Sequence, residues 1–364
     1  MRNDFHDAPF SESTRVKLAL FERYFIKWLP TFLHRKPRPS KINIVDFFSG
    51  PGEDIEHTPG SPQLILRQMR IFKDQMGLWK GKLNVVFNDA DRKKAHKLEE
   101  LLAQKFSDVL SYVNVAIRNQ EFADLYEELR PQLAQTGAAN LLFVDQSGLR
   151  ELPVNTFLSI VALDMTDLLF FVSSSTLVRF HELPEVRAYL PIPEDMIHGT
   201  EYYRIHKAVK RYYESQIPQE KEYYMGDFSL KKDANIYGVV FGSNHLLGLQ
   251  KFVSTCWELD GKTGQANYDI DRESIDDSIP YLIPPVPRKV SFFQRVLASL
   301  VKNGQLRTNR DILEYYLTNG MLCRHAKPVL TKLKAERLIE KAVPISYPVA
   351  GKREPQAIVL KKKE

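Results

Sequence analysis

The chain alternates short apolar runs with helical patterns over its first two thirds. Six such runs predict buried strands, at residues 42–45, 83–87, 113–117, 141–144, 168–172 and 236–241. Apolar residues at helical spacing separate most of the runs, as at Ala95, Leu98 and Leu102. Strands that alternate with helices are typical of an α/β fold with a mainly parallel sheet.

Two regions interrupt this alternation. Apolar residues recur on one helical face from Leu18 to Trp28, and Pro30 is predicted to end that helix. Residues 180–232 are polar, aromatic and basic, and they predict a helical insertion. Its basic residues, including Lys210, stand among tyrosines, which suits nucleic-acid contact. A solvated helix face accounts for the same pattern at least as well.

The last quarter of the chain has the pattern of a separate domain. Residues 280–288 contain four prolines and predict a stiff linker between residues 1–279 and 289–364. Three helices plus a basic hairpin in the second segment indicate a winged helix, a module that often binds DNA and in many proteins serves only protein contacts. Its predicted elements are three helices, of which the second is capped by Thr308, and β-rich pieces near residues 342–345 and 357–360.

Composition adds the expectation of a globular protein in a reducing compartment. Of the 364 residues, 43% are hydrophobic and 26% charged, and no apolar run is long enough to span a membrane. The two cysteines, Cys256 and Cys323, form neither a disulfide framework nor a metal-ligand spacing. Because no leader segment opens the chain, we expect a cytoplasmic protein without a membrane anchor or a metal site.

The positive charge of the chain is concentrated in its last segment. The net charge is +6, yet residues 289–364 hold sixteen Lys and Arg against six Asp and Glu, and the remainder holds 35 against 39. This asymmetry predicts that the basic domain contacts a polyanion, although a solubility role is the alternative. The candidate nucleic-acid residues are Arg324, Lys327, Lys332 and Lys334 at the third helix, and Lys352 and Arg353 at the turn of the hairpin.

Residues 41–62 combine a strand, a carboxylate, a glycine turn and a helix start. Asp46 ends the apolar run, and Gly50 and Gly52 flank a proline that forces the backbone to turn. Ser61 and the proline after it have the pattern of a helix N-cap and first residue. In an open α/β sheet, such a turn binds a ligand at the carboxyl end of the first strand, and glycines let the backbone approach it. A plain surface turn is the alternative.

Polar residues also follow the second and fourth predicted strands. Asp89 stands where α/β nucleotide folds hold ribose hydroxyls, since a carboxylate accepts two hydrogen bonds at once. Asp91 fits a charge at a helix N-terminus better. Asp145 and Gln146 follow the fourth strand, which lies beside the glycine turn in such a sheet, and they are the candidates to face a substrate.

These strand ends resemble those of class I S-adenosylmethionine methyltransferases, and the chain more closely resembles the three-Cys-motif partner protein (TcmP) family. The matching segments, within residues 14–345, are VKLALFERYFIKWL, VDFFSGPG, FNDAD, LLFVDQSG and FGSNHLLGLQKFVSTCWELD. The resemblance implies a Rossmann-like class I methyltransferase fold with a C-terminal winged helix. It also implies S-adenosylmethionine as cofactor and a separate cysteine-motif partner protein of radical-SAM type.

The resemblance assigns roles to single residues. The implied cofactor-binding set is Asp46, Phe47, Gly50, Gly52 and Ser61 around the methionine end, Asp89 at the ribose and Glu121 near the adenine amine. Asp145 falls in the acceptor-side motif, where the family has Asp-Pro-Phe-Gly and this chain has Asp-Gln-Ser-Gly. The change removes the proline and the aromatic residue that would stack on a base.

Three functions follow as hypotheses. The first is a methyltransferase that acts on nucleic acid, with Asp145 and Gln146 orienting the acceptor atom. The alternative is a non-catalytic subunit that keeps the fold and presents nucleic acid to a partner. A nicotinamide-dependent oxidoreductase is the weakest of the three, because it expects GxGxxG where this chain has Gly-Pro-Gly.

Overall fold

Two compact units make up the chain, Met1–His245 and Leu246–Glu364. The computed structural model describes residues 8–35, 39–145, 152–184, 187, 191–273, 286–351 and 354–361. The boundary between the units precedes the predicted linker at residues 280–288, so that the helix after residue 245 groups with the C-terminal unit. No helix in these ranges has the length and apolarity that a membrane crossing requires.

A seven-stranded sheet forms the centre of the N-terminal unit. Its strands are β1 (Lys41–Asp46), β2 (Lys82–Asn88), β3 (Asn114–Arg118), β4 (Ala138–Val144), β5 (Thr166–Val172), β6 (Tyr224–Lys232) and β7 (Asn235–Ser243). They lie in the order β3-β2-β1-β4-β5-β7-β6, and β7 runs in the direction opposite to that of the other six strands. This confirms the predicted Rossmann-like α/β fold. Because the strand order reverses between β1 and β4, the topological switch point lies there.

Helices cover both faces of this sheet. They are α1 (Glu12–His34), α2 (Ser61–Ile71), α3 (Lys73–Leu78), α4 (Arg92–Lys105), α5 (Ser107–Leu110), α6 (Phe122–Leu133), α7 (Val154–Val161), α8 (Ser174–Phe180), α9 (Glu194–His198) and α10 (Ile205–Gln216). One apolar cluster joins α6, α7 and α10 to β1, β4 and β5. On α1, the ring of Phe21 packs against Phe143 of β4, with the ring centroids 4.9 Å apart. The core therefore consists of two apolar layers, one on each side of the central strands.

Helix α1 continues through Pro30, where the sequence predicted its end. A proline inside a helix removes one hydrogen bond and costs about 3 kcal/mol. The extra turn buries Phe32 and Leu33, and full burial of such side chains stabilises by roughly 1.5–3 kcal/mol each. The apolar contacts of the last turn therefore offset the cost of the proline.

The predicted helical insertion at residues 180–232 contains a strand of the main sheet. Its last nine residues form β6, which the sequence did not predict. Asp227 of β6 has a side chain that is only 12% exposed, and it lies 3.2 Å from the ammonium of Lys210 on α10, which is 13% exposed. Lys210 is therefore an internal ion-pair partner, and its prediction as a nucleic-acid contact or a solvated residue was wrong.

A row of hydrogen-bonded side chains crosses the sheet from β3 to β5. Asn114 donates to Asn84, Asn84 to Asn43, Asn43 to Asn140 and Asn140 to Thr166, over distances of 2.8–3.2 Å. Each pair also stands in register across neighbouring strands. Since a shifted register would leave buried amides unpaired, the row fixes how the five strand ends align.

The C-terminal unit contains five helices in its described residues: α11 (Leu246–Leu259), α12 (Arg288–Lys302), α13 (Asn309–Thr318), α14 (Cys323–Ala335) and α15 (Tyr347–Ala350). Trp257 of α11 is buried and donates to the Gly320 carbonyl at 2.9 Å, and its ring lies 4.2 Å from the His325 ring of α14 at a tilt of 42°. Helix α11 is thus part of this core. The predicted Thr308 cap of α13 is confirmed, within a capping box with Asp311.

Short extended segments accompany these helices. Thr308 bridges to Ala357 and Ile339 to Leu360, so that the segment around residues 357–360 lies between the other two. The other predicted β-rich piece, residues 342–345, forms no strand, because the pairing residue is Ile339 instead. Both Lys352 and Arg353 lie outside the described residues.

Candidate functional site

The candidate site lies where β1 and β4 end, at the switch point of the sheet. Asp46 is the last residue of β1 and pairs in register with Phe143 of β4. Asp145 follows directly after β4, and Asp89 follows directly after β2 on the other side of β1. The fold therefore brings together three carboxylates that are far apart in sequence, at the edge where such sheets bind ligands.

The glycine turn after β1 has left-handed backbone at both predicted glycines. Gly50 has φ +61° and Gly52 has φ +86°, a region that favours glycine. A Cβ at Gly52 would lie 2.6 Å from Leu98 and 2.8 Å from Leu101 of α4. Gly52 thus allows the turn to pack against α4, whereas the sequence expected its missing side chain to leave room for a ligand.

Two buried carboxylates hold the loop after this turn. Glu53 accepts from His57, Gln63 and Lys105 at 2.6–3.0 Å. Asp54 accepts from three backbone N–H groups, including that of Phe10 at 2.6 Å. Because their charged forms receive several hydrogen bonds, both have a pKa below the ordinary value despite burial. The loop is therefore built around fixed internal anions, neither of which was predicted from the sequence as a site residue.

Asp46 itself is almost completely buried. Burial raises its pKa to about 7, although hydrogen bonds from Ser61 and from the Phe48 N–H oppose the shift. The Ser61 hydroxyl donates to Asp46 at 2.6 Å, while Gly60 is the N-cap of α2 and Ser61 its first residue. The prediction that Ser61 caps the helix was therefore wrong, because its hydroxyl donates to Asp46 at the end of β1.

Asp89 faces the glycine turn from the end of β2. Its carboxylate accepts hydrogen bonds from the N–H of Gly50 and, at 2.8 Å, from the N–H of Asp91. Partial burial nevertheless raises the pKa of Asp89 above the ordinary value. Asp91 is the N-cap of α4 and accepts from the Lys93 N–H, which confirms its predicted helix-terminal role. Asp89 and the turn are therefore one hydrogen-bonded unit.

Asn88 connects three strand ends and was not among the residues predicted for the site. Its side chain donates to the carbonyls of Phe47 and Gln120 at 3.0 Å each and accepts from the Gln120 N–H. Its own carbonyl accepts from both the N–H and the hydroxyl of Ser49. The sequence did contain an indication of this role, because Asn88 stands between the apolar residues of β2 and the acidic turn that follows. A buried amide in such a position needs hydrogen-bond partners inside the protein.

The remaining predicted cofactor residues differ in accessibility. Glu121 is exposed and occupies the N-cap position of α6, at the end of β3. Phe47 is fully buried, with its ring edge-on to Phe122 at 5.0 Å. Its side chain belongs to the core, so only its backbone faces the strand ends. The neighbouring Phe48 is half-buried and stacks on Phe122, and it is the aromatic surface nearer to solvent.

Asp145 forms an ion pair with Lys17 of α1. The Lys17 ammonium also lies 4.8 Å from the centroid of the Phe171 ring. Gln146, the other predicted catalytic residue, lies outside the described residues. Lys17 was missed because its pairing spans 128 residues of sequence and leaves no local pattern.

The hydrogen-bond acceptors of this edge fit an adenosyl ligand. A partly buried carboxylate at Asp89 suits a ribose diol, and an exposed one at Glu121 suits an amine. Among the described residues, no three His, Cys, Asp or Glu side chains are grouped to hold a metal ion. A separate cleft of about 460 Å³ between α4 and β3 contains none of the predicted site residues.

The basic residues of α14 form a second candidate surface. Arg324, Lys327, Lys332 and Lys334 are all exposed. The Arg324 guanidinium stacks 5.0 Å from the Trp257 ring centroid, and Lys332 lies 3.8 Å from Glu336. The face is therefore cationic and open to solvent. Of its four cations, Arg324 is held against the buried Trp257 ring.

No model of a known protein family matches the chain, and no curated protein matches it significantly. Among solved structures, it is similar to the O-methyltransferase TomG from Streptomyces achromogenes in complex with SAM. The identity is 13% and the TM-score 0.34, over 67% of this chain and 98% of that one. It is also similar to an O-methyltransferase from Bacillus cereus in complex with SAH. There the identity is 14% and the TM-score 0.34, over 65% and 82%. These likenesses are too distant to carry an argument, so the fold assignment rests on the strand order.

Proposed function

We propose that the N-terminal unit binds S-adenosylmethionine and that the protein is a methyltransferase acting on nucleic acid. The observation that carries this proposal is the cluster of Asp46, Asp89 and Asp145 around the glycine turn at the switch point. In doubly wound sheets this is the ligand crevice, and a carboxylate after the second strand suits a ribose. The absence of GxGxxG counts against a dinucleotide.

Each residue has a distinct task in this proposal. Asp89 would accept from the ribose hydroxyls and Glu121 from the adenine amine, while Asp46 and the Gly50 turn would receive the methionine end. The bound cofactor supplies an electrophilic methyl group. Asp145 would orient the acceptor atom by hydrogen bonding, and its carboxylate would take the proton that a hydroxyl or amine acceptor loses.

We further propose that α12, α13 and α14 with the bridged segments form a winged helix that contacts phosphates. Support comes from the three helices, the central segment around residues 357–360 and the four exposed cations of α14. Basic side chains on an exposed helix suit contact with a nucleic-acid backbone. The predicted wing residues Lys352 and Arg353 would add two cations.

Membership of the three-Cys-motif partner protein family remains part of this proposal. Its support is the set of sequence segments named above, several of which form the strand ends of the site. The family would supply a cysteine-motif protein of radical-SAM type as partner. A co-purification of the two proteins, expressed together, tests this element independently of cofactor binding.

A non-catalytic nucleic-acid or partner-binding subunit is the second candidate. It is favoured by the acceptor-side Asp-Gln-Ser-Gly sequence and by the commitment of Asp145 to Lys17. Such a subunit would bind the cofactor, or nucleic acid, without turnover.

Methyl incorporation separates the two candidates. The protein, with its cofactor and a mixture of cellular RNA and DNA, should transfer methyl groups, and Asp145→Asn should reduce the rate at least about tenfold. Arg15→Gln, a change on the exposed side of α1, is the control. Cofactor binding without methyl incorporation, in the presence and absence of the partner, would instead favour the non-catalytic subunit.

A further inference from the structure

Lys17 is a buried cation supplied to the strand ends by the N-terminal helix. Its side chain is 10% exposed, and that of its partner Asp145 is 23% exposed. Burying an ammonium costs free energy unless a charge or an aromatic face compensates. Both are present here, as Asp145 and as the ring of Phe171.

Other contacts hold the N-terminal segment in place. The Phe10 N–H donates to Asp54 in the loop after the glycine turn, and the Tyr24 hydroxyl donates to Asp167 of β5 at 2.6 Å. Lys17 stands between these two anchors on the same segment. The fold therefore fixes the position of the Lys17 ammonium, whereas the ammonium of an exposed lysine would move freely.

Three charged groups meet at the ends of β1 and β4: Asp46, Asp145 and Lys17. They are coupled, since the negative charge of Asp145 favours protonation of Asp46 and the positive charge of Lys17 opposes it, both less strongly than burial. The charge that a ligand meets between these strands thus depends on whether Asp145 is neutralised.

We propose that Lys17 is a specificity-determining residue of the cofactor site, which neutralises Asp145 and thereby sets the relative affinity for the cationic cofactor and its neutral product. This inference rests on the proposed function. S-adenosylmethionine carries a sulfonium charge that S-adenosylhomocysteine lacks. An unpaired Asp145 would hold the cation more tightly, whereas the Lys17–Asp145 pair keeps the two affinities close.

Calorimetric titration of the full chain with both ligands measures this balance. The quantity of interest is the Kd of S-adenosylhomocysteine divided by the Kd of S-adenosylmethionine. Lys17→Gln should raise the ratio roughly tenfold, because it leaves an anion near the sulfonium. Asp145→Asn should lower it by a similar factor. Lys17→Arg, which keeps the charge, and Arg15→Gln, which removes an exposed charge from the same helix, should leave the ratio unchanged.

The outcomes distinguish this inference from the proposed function. If the wild-type protein binds both ligands and neither Lys17→Gln nor Asp145→Asn changes the ratio, Lys17 has no such role, while cofactor binding stands. If the wild-type protein binds neither ligand, the proposed function fails and this inference with it. A loss of packing alone would weaken both ligands equally, and an equal loss in Lys17→Gln with an unchanged ratio would overturn the inference. Should Lys17→Gln not fold, Asp145→Asn carries the same test with the opposite sign.

Discussion

The two units use charged residues in opposite ways. Near the end of β1 in the N-terminal unit, Asp46 and Asp54 are 1% exposed, and they accept hydrogen bonds from the Ser61 hydroxyl and the Thr58 N–H, respectively. On α14 of the C-terminal unit, Lys327 and Lys334 project into solvent. Groups of the first kind have fixed positions, whereas those of the second kind keep their rotamer freedom.

This difference separates two kinds of recognition. A small ligand with several polar groups requires donors and acceptors at fixed distances, which buried and mutually bonded side chains provide. A phosphate backbone requires positive charge over an area, and exposed lysines provide that without fixed geometry. We therefore expect single substitutions to have large effects on ligand affinity at the strand ends and small, additive effects on α14.

The largest effect is expected for the core of the C-terminal unit, at Trp257. Its indole hydrogen bond, the ring of His325 and the close approach of Gly264 all lie within that unit. Trp257→Ala should lower the unfolding free energy of the C-terminal unit by about 3–5 kcal/mol, as for other buried aromatic residues. Urea unfolding measures this change.

Trp257→Phe is the matched control, since it keeps a ring but loses the hydrogen bond, and it should cost less. Ligand affinity of the N-terminal unit should stay the same in both variants. A negligible change in Trp257→Ala would mean that α11 does not belong to the C-terminal core.

Asp89 should carry the next largest effect. Asp89→Ala removes the acceptor proposed for the ribose hydroxyls, and a hydrogen bond to a charged group contributes roughly 1.5–3 kcal/mol. Calorimetry should show a loss of about ten- to a hundredfold in cofactor affinity. Asp91→Ala, which removes only the N-cap of α4, should cost about 1 kcal/mol of stability and leave affinity intact. The reverse pattern would place the ribose at Asp91.

Burial raises the pKa of Asp46 to about 7. Both ligand affinity and the unfolding free energy should therefore depend on pH in a measurable way. A ligand ammonium group requires ionised Asp46, so affinity should rise about tenfold per pH unit below 7 and level off above it. Asp46 should also contribute a fall in the unfolding free energy as pH rises from about 4 to 7, because the folded protein keeps on Asp46 the proton that the unfolded chain releases.

Asp46→Asn should remove the step in affinity, and the difference between the wild-type and variant stability profiles should equal the contribution of Asp46. Its neighbours Lys17 and Asp145 stay in place in this variant, so a remaining step near pH 7 would have to come from another group. Such a step would contradict the assignment to Asp46.

The smallest effect is expected for the exposed lysines of α14. Lys327→Gln together with Lys334→Gln should reduce the slope of log affinity against log salt by about two in nucleic-acid titrations of the full chain. The control is Lys93→Gln with Lys97→Gln, two exposed lysines of α4. Equal slopes in both double variants, or no binding at low salt, would exclude α14 as the phosphate contact.

The sequence was sufficient for those parts of the fold that follow local rules. Runs of buried apolar residues located six strands, and the Gly50 turn with Asp46 and Asp89 located the candidate site. These features have short sequence ranges, because a buried strand and a left-handed turn each restrict a few adjacent residues.

Features that depend on distant partners could not be predicted. Helix α1 passes Pro30 because of burial that only the folded sheet provides, and β6 contains Asp227, whose charge is satisfied by Lys210. The Asn43 amide sits inside an apolar run and is satisfied by neighbouring strands. Lys17 meets Asp145 only after the sheet has formed. In each case a buried polar group or a helix breaker is tolerated by tertiary contacts that local propensity does not contain.

The most direct test of the account is a calorimetric titration of wild-type protein and Gly50→Val with S-adenosylmethionine, S-adenosylhomocysteine and NAD. A valine at φ +61° is strained and would occupy the turn beside Asp89. Gly137→Val is the matched control, since Gly137 has φ +77° and precedes β4 at the opposite end of the sheet. We expect the two adenosyl ligands to bind the wild-type protein and Gly137→Val but not Gly50→Val, and we expect no binding of NAD. Undiminished affinity in Gly50→Val, or preferential binding of NAD, would contradict it.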